Sequence, residues 1–327
     1  LDSPESKNFL IKLMDVAFRS NNFDRISNYI FNLFNSTNAH KNVFSPSESI
    51  LVRLYRIIGH KFPSVSIPLM LNQIQEVTSP VIFFNGSTKF KEHALKRKKH
   101  GITLNINPIG ETLIGEFEAK ERINKYIEFL HDENVNYLSI KLSTIHSQIH
   151  TISHDEVVEE CVLRLSKLYH EILKIREYTG IEKFINLDME EYRDLSITLQ
   201  TFKRTLNKPE FKTIRAGIVL QAYLPDTFKE AIKLRDWAKE RVKNGGAPVK
   251  VRIVKGANLE MEKTEASIHG WPLATYSNKL DTDANYKKIL LELLVPSSAA
   301  SLNVGVASHN IFDLAFCLNL TLKNNLQ

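Results

Sequence analysis

The chain has 327 residues, 43% of them hydrophobic, enough to bury a large core as one domain or as a large domain with a smaller one. Its formal charge of +6 is modest for that length, and no apolar run approaches the roughly 20 residues of a membrane span. Cys161 and Cys317 lie in apolar helical patterns without CxxC or CxxH spacing, which excludes a disulfide framework and a cysteine metal site.

The chain opens on Leu1-Asp2-Ser3 without a signal peptide and closes on Asn325-Leu326-Gln327, and both ends read as cuts in a longer polypeptide. Residues 1–85 read as a helical N-terminal region. Ser3-Pro4 offers a cap with proline at the first helical position, and Phe9, Leu13, Val16 and Ala17 follow at helical spacing. Ser45-Pro46-Ser47-Glu48 forms a capping box for a helix through Leu51, Leu54, Tyr55 and Ile58, stopped by Gly59. Pro63, Pro68 and Pro80 are expected to break up the rest of this region. Lys89, Lys91, Lys96, Arg97, Lys98 and Lys99 crowd one segment beside Phe90, His93 and Leu95. That spacing predicts a solvated helix face in preference to a nucleic-acid or membrane patch.

From about residue 100 the pattern alternates strand with helix. Strands are expected at 102–107, 137–143, 183–189, 216–223, 249–256 and 302–307. Helices lie between them, one over 155–178 ended by Gly180, another from a cap at Asp226 to Asn244-Gly245-Gly246. Such units imply a parallel sheet, either an open doubly wound sheet or a (β/α)8 barrel. No G-x-G-x-x-G follows any strand, which weakens the dinucleotide-binding open sheet.

Polar residues gather where the strands end. Glu111 follows the first strand, Lys141 lies in the second, Asp188 ends the third and Gln221 is in the fourth. Arg252 and Lys255 belong to the fifth, and His309 follows the sixth. Each has a mundane alternative, such as Asp188 capping the helix that opens with Glu190-Glu191. One such group at each of six strand ends is the layout of a barrel active site. In Val249-Lys250-Val251-Arg252-Ile253-Val254-Lys255-Gly256, long cations alternate with apolar residues before a glycine turn. Buried cations are costly without a partner, so this strand points to an anionic or electron-rich ligand. The set lacks a Ser-His-Asp order, a metal-ligand cluster and a phosphate loop. Two chemistries fit it: a Schiff-base lyase using Lys141 or Lys255, or a bound flavin with cations and an amide around its ring. The pattern alone does not separate them.

Several motifs carry a family resemblance. They are Leu104-Asn105-Ile106-Asn107 with Gly110-Glu111, Ile140-Lys141-Leu142-Ser143 and Asn186-Leu187-Asp188-Met189-Glu190-Glu191. Val219-Leu220-Gln221-Ala222-Tyr223, Val251-Arg252-Ile253-Val254-Lys255-Gly256-Ala257 and Ala307-Ser308-His309-Asn310 follow. In this order, over roughly residues 100–315, they resemble the proline dehydrogenase domain of the bifunctional proline utilisation A flavoenzymes. The resemblance implies a distorted (β/α)8 barrel that binds FAD and oxidises L-proline to Δ1-pyrroline-5-carboxylate, passing electrons to a quinone. Residues 86–327 would be a partial, FAD-binding barrel of about six strands.

By the same resemblance Arg252 lies by the flavin N5, Gln221 touches its ring, and Val254, Lys255, Gly256 and Ala257 meet its phosphate and ribityl region. Lys279 and His309 also contact FAD. Lys141 and Asp188 lie on the substrate side, Lys141 holding the proline carboxylate, with Glu111 a further active-site carboxylate. A cytoplasmic protein peripheral to the inner membrane is implied, with no nucleic-acid partner. A missing NAD-dependent aldehyde dehydrogenase domain is implied as well.

The chain departs from the family in three places. Asn258 stands where many members have an aromatic residue, and Ser277-Asn278-Lys279 replaces Thr-Arg-Lys. The third departure is the absence of strands seven and eight and of the last helix with its carboxylate-clamping arginines. A barrel lacking two strands leaves open edges, so the chain alone is expected to be inactive or severely impaired and to self-associate.

Overall fold

A computed structural model of the chain describes residues 4–13, 20, 22–36, 43–78, 88–108, 113 and 115–326. Two compact units emerge, Leu1–His93 and Ala94–Gln327.

The first unit is helical: α1 (Pro4–Ile11), α2 (Phe23–Ser36), α3 (Pro46–Ile57) and α4 (Pro63–Thr78). Phe9, Leu13, Ile26, Ile30, Phe34, Tyr55 and Ile67 form its core. The capping box forms as expected, with Ser45 Oγ accepting from the Glu48 amide and Glu48 Oε2 accepting from the Ser45 amide at 2.8 Å. Pro68 does not break the chain but sits inside α4. It removes one intrahelical bond, and the full burial of the adjacent Ile67 in the core offsets that loss. Ser3, Val16, Ala17 and Pro80 lie outside the described residues. A fifth helix, α5 (Thr88–Lys99), exposes all six cations of the basic segment. Its buried side is Phe90 and Ala94; Leu95, expected there, is 53% exposed.

The second unit alternates strand and helix. Its strands are β1 (Asn105–Ile106), β2 (Tyr137–Ile140), β3 (Phe184–Leu187), β4 (Ala216–Gln221), β5 (Val249–Val254) and β6 (Leu302–Val306). All neighbours pair in parallel, in the order β1-β2-β3-β4-β5-β6, as a half-barrel with β1 and β6 at its edges. The longer helices are α6 (Glu116–His131), α7 (His154–Thr179), α8 (Leu195–Leu206), α9 (Thr227–Lys243), α10 (Leu259–His269), α11 (Lys279–Leu293) and α12 (Ile311–Lys323).

Periodicity explains the packing. Helix α7 buries Val158, Cys161, Leu165, Leu168 and Ile172 along one stripe and ends at Gly180, whose φ of 70° is left-handed and suits glycine. Burial holds the Cys161 thiol up at about 12, so it is an inert core thiol. In β5, Val249, Val251 and Ile253 are buried while Lys250, Arg252 and Val254 alternate onto the partly open inner face. Asp226 precedes α9 but makes no side-chain cap; it accepts instead from the Tyr192 hydroxyl at 2.8 Å.

One buried cation shapes the far end of this region. Arg241 donates to the carbonyls of Leu206, Phe211, Lys212, Ile214 and Ala247. Burial depresses its pKa, and carbonyl dipoles replace a counter-ion.

Candidate active site

A cavity of about 650 Å³ opens at the C-terminal ends of β2 to β6. Lys141, Asp188, Gln221, Arg252, Val254, Lys255, Gly256, Ala257, Lys279 and His309 all line it. Every site residue expected from the sequence is thus brought to one place, except Glu111, which lies outside the described residues. Three of them sit just past their strands and not within them. β2 ends at Ile140, β3 at Leu187 and β5 at Val254, so Lys141, Asp188 and Lys255 begin the connecting loops. At β2 the pairing gives way to a 3₁₀ turn over Leu142–Thr144.

The β3 end supplies the central carboxylate. Asp188 is not a helix cap, because helical structure resumes only at Tyr192. Its Oδ1 accepts from Ser139 Oγ at 3.1 Å, Asn186 Nδ2 at 2.9 Å and Arg252 Nη2 at 2.5 Å. Burial raises its pKa, and the Arg252 guanidinium beside it pulls in the opposite direction. Gly305, opposite Arg252 on β6, leaves room for this arrangement: a Cβ there would lie 3.2 Å from Lys250 Cε and 3.4 Å from Arg252 Cβ.

Lys255 is held from two later helices. Its Nζ lies 2.5 Å from Asp283 Oδ1 on α11 and 2.7 Å from Asp313 Oδ2 on α12. Asp283 also takes Lys279 Nζ at 2.6 Å. Burial lowers the Lys255 pKa, but the hydrogen bonds it donates to the two carboxylates more than offset this and leave it raised. Asn278 caps α11, its Oδ1 accepting from the Asp281 amide at 2.9 Å, so this departure from the family pattern has a structural role.

Asp283 and Asp313 were not singled out from the sequence, and Glu190 was named only within the motif after Asp188 and not as a site residue. Glu190 pairs with Lys141 at 2.9 Å and takes the Ser143 hydroxyl. Only Asp283 left a local signal, four residues after Lys279 on one helix face.

Whether the cavity suits a flavin nucleotide turns on its unpaired atoms. Gln221 is 2% exposed, its Nε2 donates to the Glu190 carbonyl at 3.1 Å, and its Oε1 has no partner. Arg252 Nε is likewise buried without a partner. A ring bearing both an imide N–H and acceptor atoms satisfies both. Gly256 adopts φ 124°, and a Cβ there would lie 2.5 Å from the Tyr223 ring, so only glycine gives this loop its path. The residues present fit the group.

A parallel sheet that gathers its charged residues at the C-terminal strand ends defines the class: a (β/α) barrel with its site at that face. A family model described as proline dehydrogenase matches residues 90–327, and the chain belongs to that family. Among solved structures, proline utilization A (PutA) from Corynebacterium freiburgense is 38% identical with a TM-score of 0.73, covering 78% of this chain and 26% of that one. PutA from Bdellovibrio bacteriovorus, solved after inactivation by N-propargylglycine, is 27% identical with a TM-score of 0.70, covering 98% and 32%. The bifunctional protein PutA of Salmonella typhimurium is 26% identical over 246 residues. The chain spans 18% of that relative's length.

Proposed function

We propose that this chain carries the proline-oxidising site of a PutA-like flavoenzyme: L-proline is oxidised to Δ1-pyrroline-5-carboxylate, and the electrons pass to a quinone. The observation that carries this reading is the convergence of ten expected residues on one cavity containing the unpartnered Gln221 Oε1. FAD would be held by Gln221, Arg252, the Val254–Ala257 loop, Lys279 and His309, and when bound it supplies a hydride acceptor. Arg252 would offer the bound group a positive charge that favours its reduced form, and Asp188 keeps that guanidinium in place. Lys141 offers an ammonium to the substrate carboxylate.

The half-barrel leaves β1 and β6 unpaired on their outer sides among the described residues. We therefore expect the chain by itself to turn over poorly and to associate through those edges. No helix among the described residues is long and apolar enough to cross a membrane. A cytoplasmic location and a separate aldehyde-oxidising activity in the longer protein complete the proposal.

A Schiff-base lyase is disfavoured. Lys255 is ion-paired to two carboxylates with its pKa raised, which opposes a free amine, and Lys141 is paired to Glu190. The deciding test is purification with excess FAD. A flavin absorption spectrum that proline bleaches in the chain extended through a closed barrel supports the proposal. A protein colourless in both lengths refutes it.

A further inference from the structure

Glu190 stands where several strand ends meet. Its Oε1 lies 2.9 Å from Lys141 Nζ, beyond β2, and its other oxygen takes the Ser143 hydroxyl from the same turn. Its backbone carbonyl accepts two side-chain amides at once, Gln221 Nε2 from the end of β4 at 3.1 Å and Asn258 Nδ2 from beyond β5 at 3.0 Å. Glu190 itself belongs to the loop after β3, so the C-terminal ends of four successive strands and the loops beyond them converge on one residue that lines the cavity.

The side-chain half of this hub has a chemical consequence. Lys141 already has a carboxylate partner, with side chains 35% and 20% exposed. An anionic ligand that approaches Lys141 must either displace Glu190 or sit against its negative charge. A pair this open to solvent is weak enough to exchange, whereas the backbone half of the hub needs no charge and survives the exchange.

We propose that Glu190 is a positioning residue that occupies Lys141 as an internal counter-ion and yields it to the carboxylate of a small cyclic acid. The inference rests on the reading of Lys141 as the carboxylate anchor. Glu190 thereby sets the affinity for the substrate's acid group, lowering it relative to an unoccupied ammonium. It also selects for ligands that bring their own carboxylate: a neutral ring gains nothing by competing with an ion pair.

The experiment uses the whole chain and two probes that cannot be oxidised at nitrogen, cyclopentanecarboxylate and its neutral carboxamide, titrated by calorimetry. Glu190→Gln keeps the backbone carbonyl and a hydrogen-bonding side chain while removing the charge. The expected result is about fivefold tighter binding of the carboxylate with no change for the carboxamide. Adding Lys141→Gln abolishes the gain. A purely structural role for Glu190 weakens binding of both probes, so the sign separates the two accounts. If Glu190→Gln fails to fold, Glu190→Asp, which withdraws the carboxylate by one methylene, is measured in its place with the same expected sign. Equal or weaker carboxylate binding by the variant overturns the proposal alone. Failure of wild type and variant alike to bind the carboxylate overturns the assignment of Lys141 and this proposal with it.

Discussion

Arg252 Nη2 and Asp188 Oδ1 lie 2.5 Å apart across the inner face of the sheet, with side chains 23% and 12% exposed. They come from β5 and the end of β3 and are joined without an intervening residue of β4. Removing one partner strands the other charge in a poorly solvated place, which costs about 3 kcal/mol. Asp188→Asn and Arg252→Met are each expected to lower the melting temperature. The double variant should lose less than the sum of the two. Additive losses in that thermal cycle would show that the pair is not coupled.

Gly256→Ala is expected to remove flavin affinity and to destabilise the fold by about 1–3 kcal/mol. The new methyl collides with the Tyr223 ring, and φ 124° is strained for alanine. Flavin titration together with thermal melting checks this, and wild-type behaviour in both contradicts it.

Arg241 answers five carbonyls with one planar guanidinium. An ammonium has three donors and no fork, so Arg241→Lys leaves buried carbonyls unpaired and should cost about 3 kcal/mol. Denaturant melts give the size of the loss. Flavin affinity of the folded fraction should not move, because Arg241 lies at the opposite end of the strands from the cavity.

Asp194 predicts a pH dependence. It is 8% exposed, its Oδ1 has no partner, and burial, reinforced by the nearby Glu191, lifts its pKa from 3.8 to about 7. The native state therefore keeps a proton that the unfolded chain gives up near pH 4. Its contribution to stability is full below about pH 4 and is lost as the pH rises towards 7. Asp194→Asn should match wild type in melting temperature at pH 4 and exceed it at pH 8. A constant gap between the two proteins across that range would contradict the assignment.

Much of the site was legible because barrel chemistry sits at strand ends, and strand ends show in the alternation of residues. Gln221, Arg252, Lys255 and the Gly256 turn could be placed that way, and Ala257 only through the family resemblance. Their counter-ions could not. Asp283 and Asp313 reach Lys255 from helices 28 and 58 positions further along, and Glu190 reaches Lys141 from the next strand's loop. Such pairings arise from tertiary packing and leave no local pattern. The same competition explains Asp226, whose expected capping role yielded to the Tyr192 hydroxyl. It also explains Pro68, whose helix is held by Ile67 in the core.

The strict succession β1 to β6 means that each strand pairs with the one made just before it. During synthesis the sheet can grow by one edge, without waiting for distant segments. Asp188 is already placed when Arg252 is added 64 residues later, so that cation meets its partner on arrival. Lys255 is made before either of its carboxylates. The Lys255 corner of the cavity is thus the last to reach charge balance, and a nascent chain carries there, for a time, an ammonium without its two carboxylate partners.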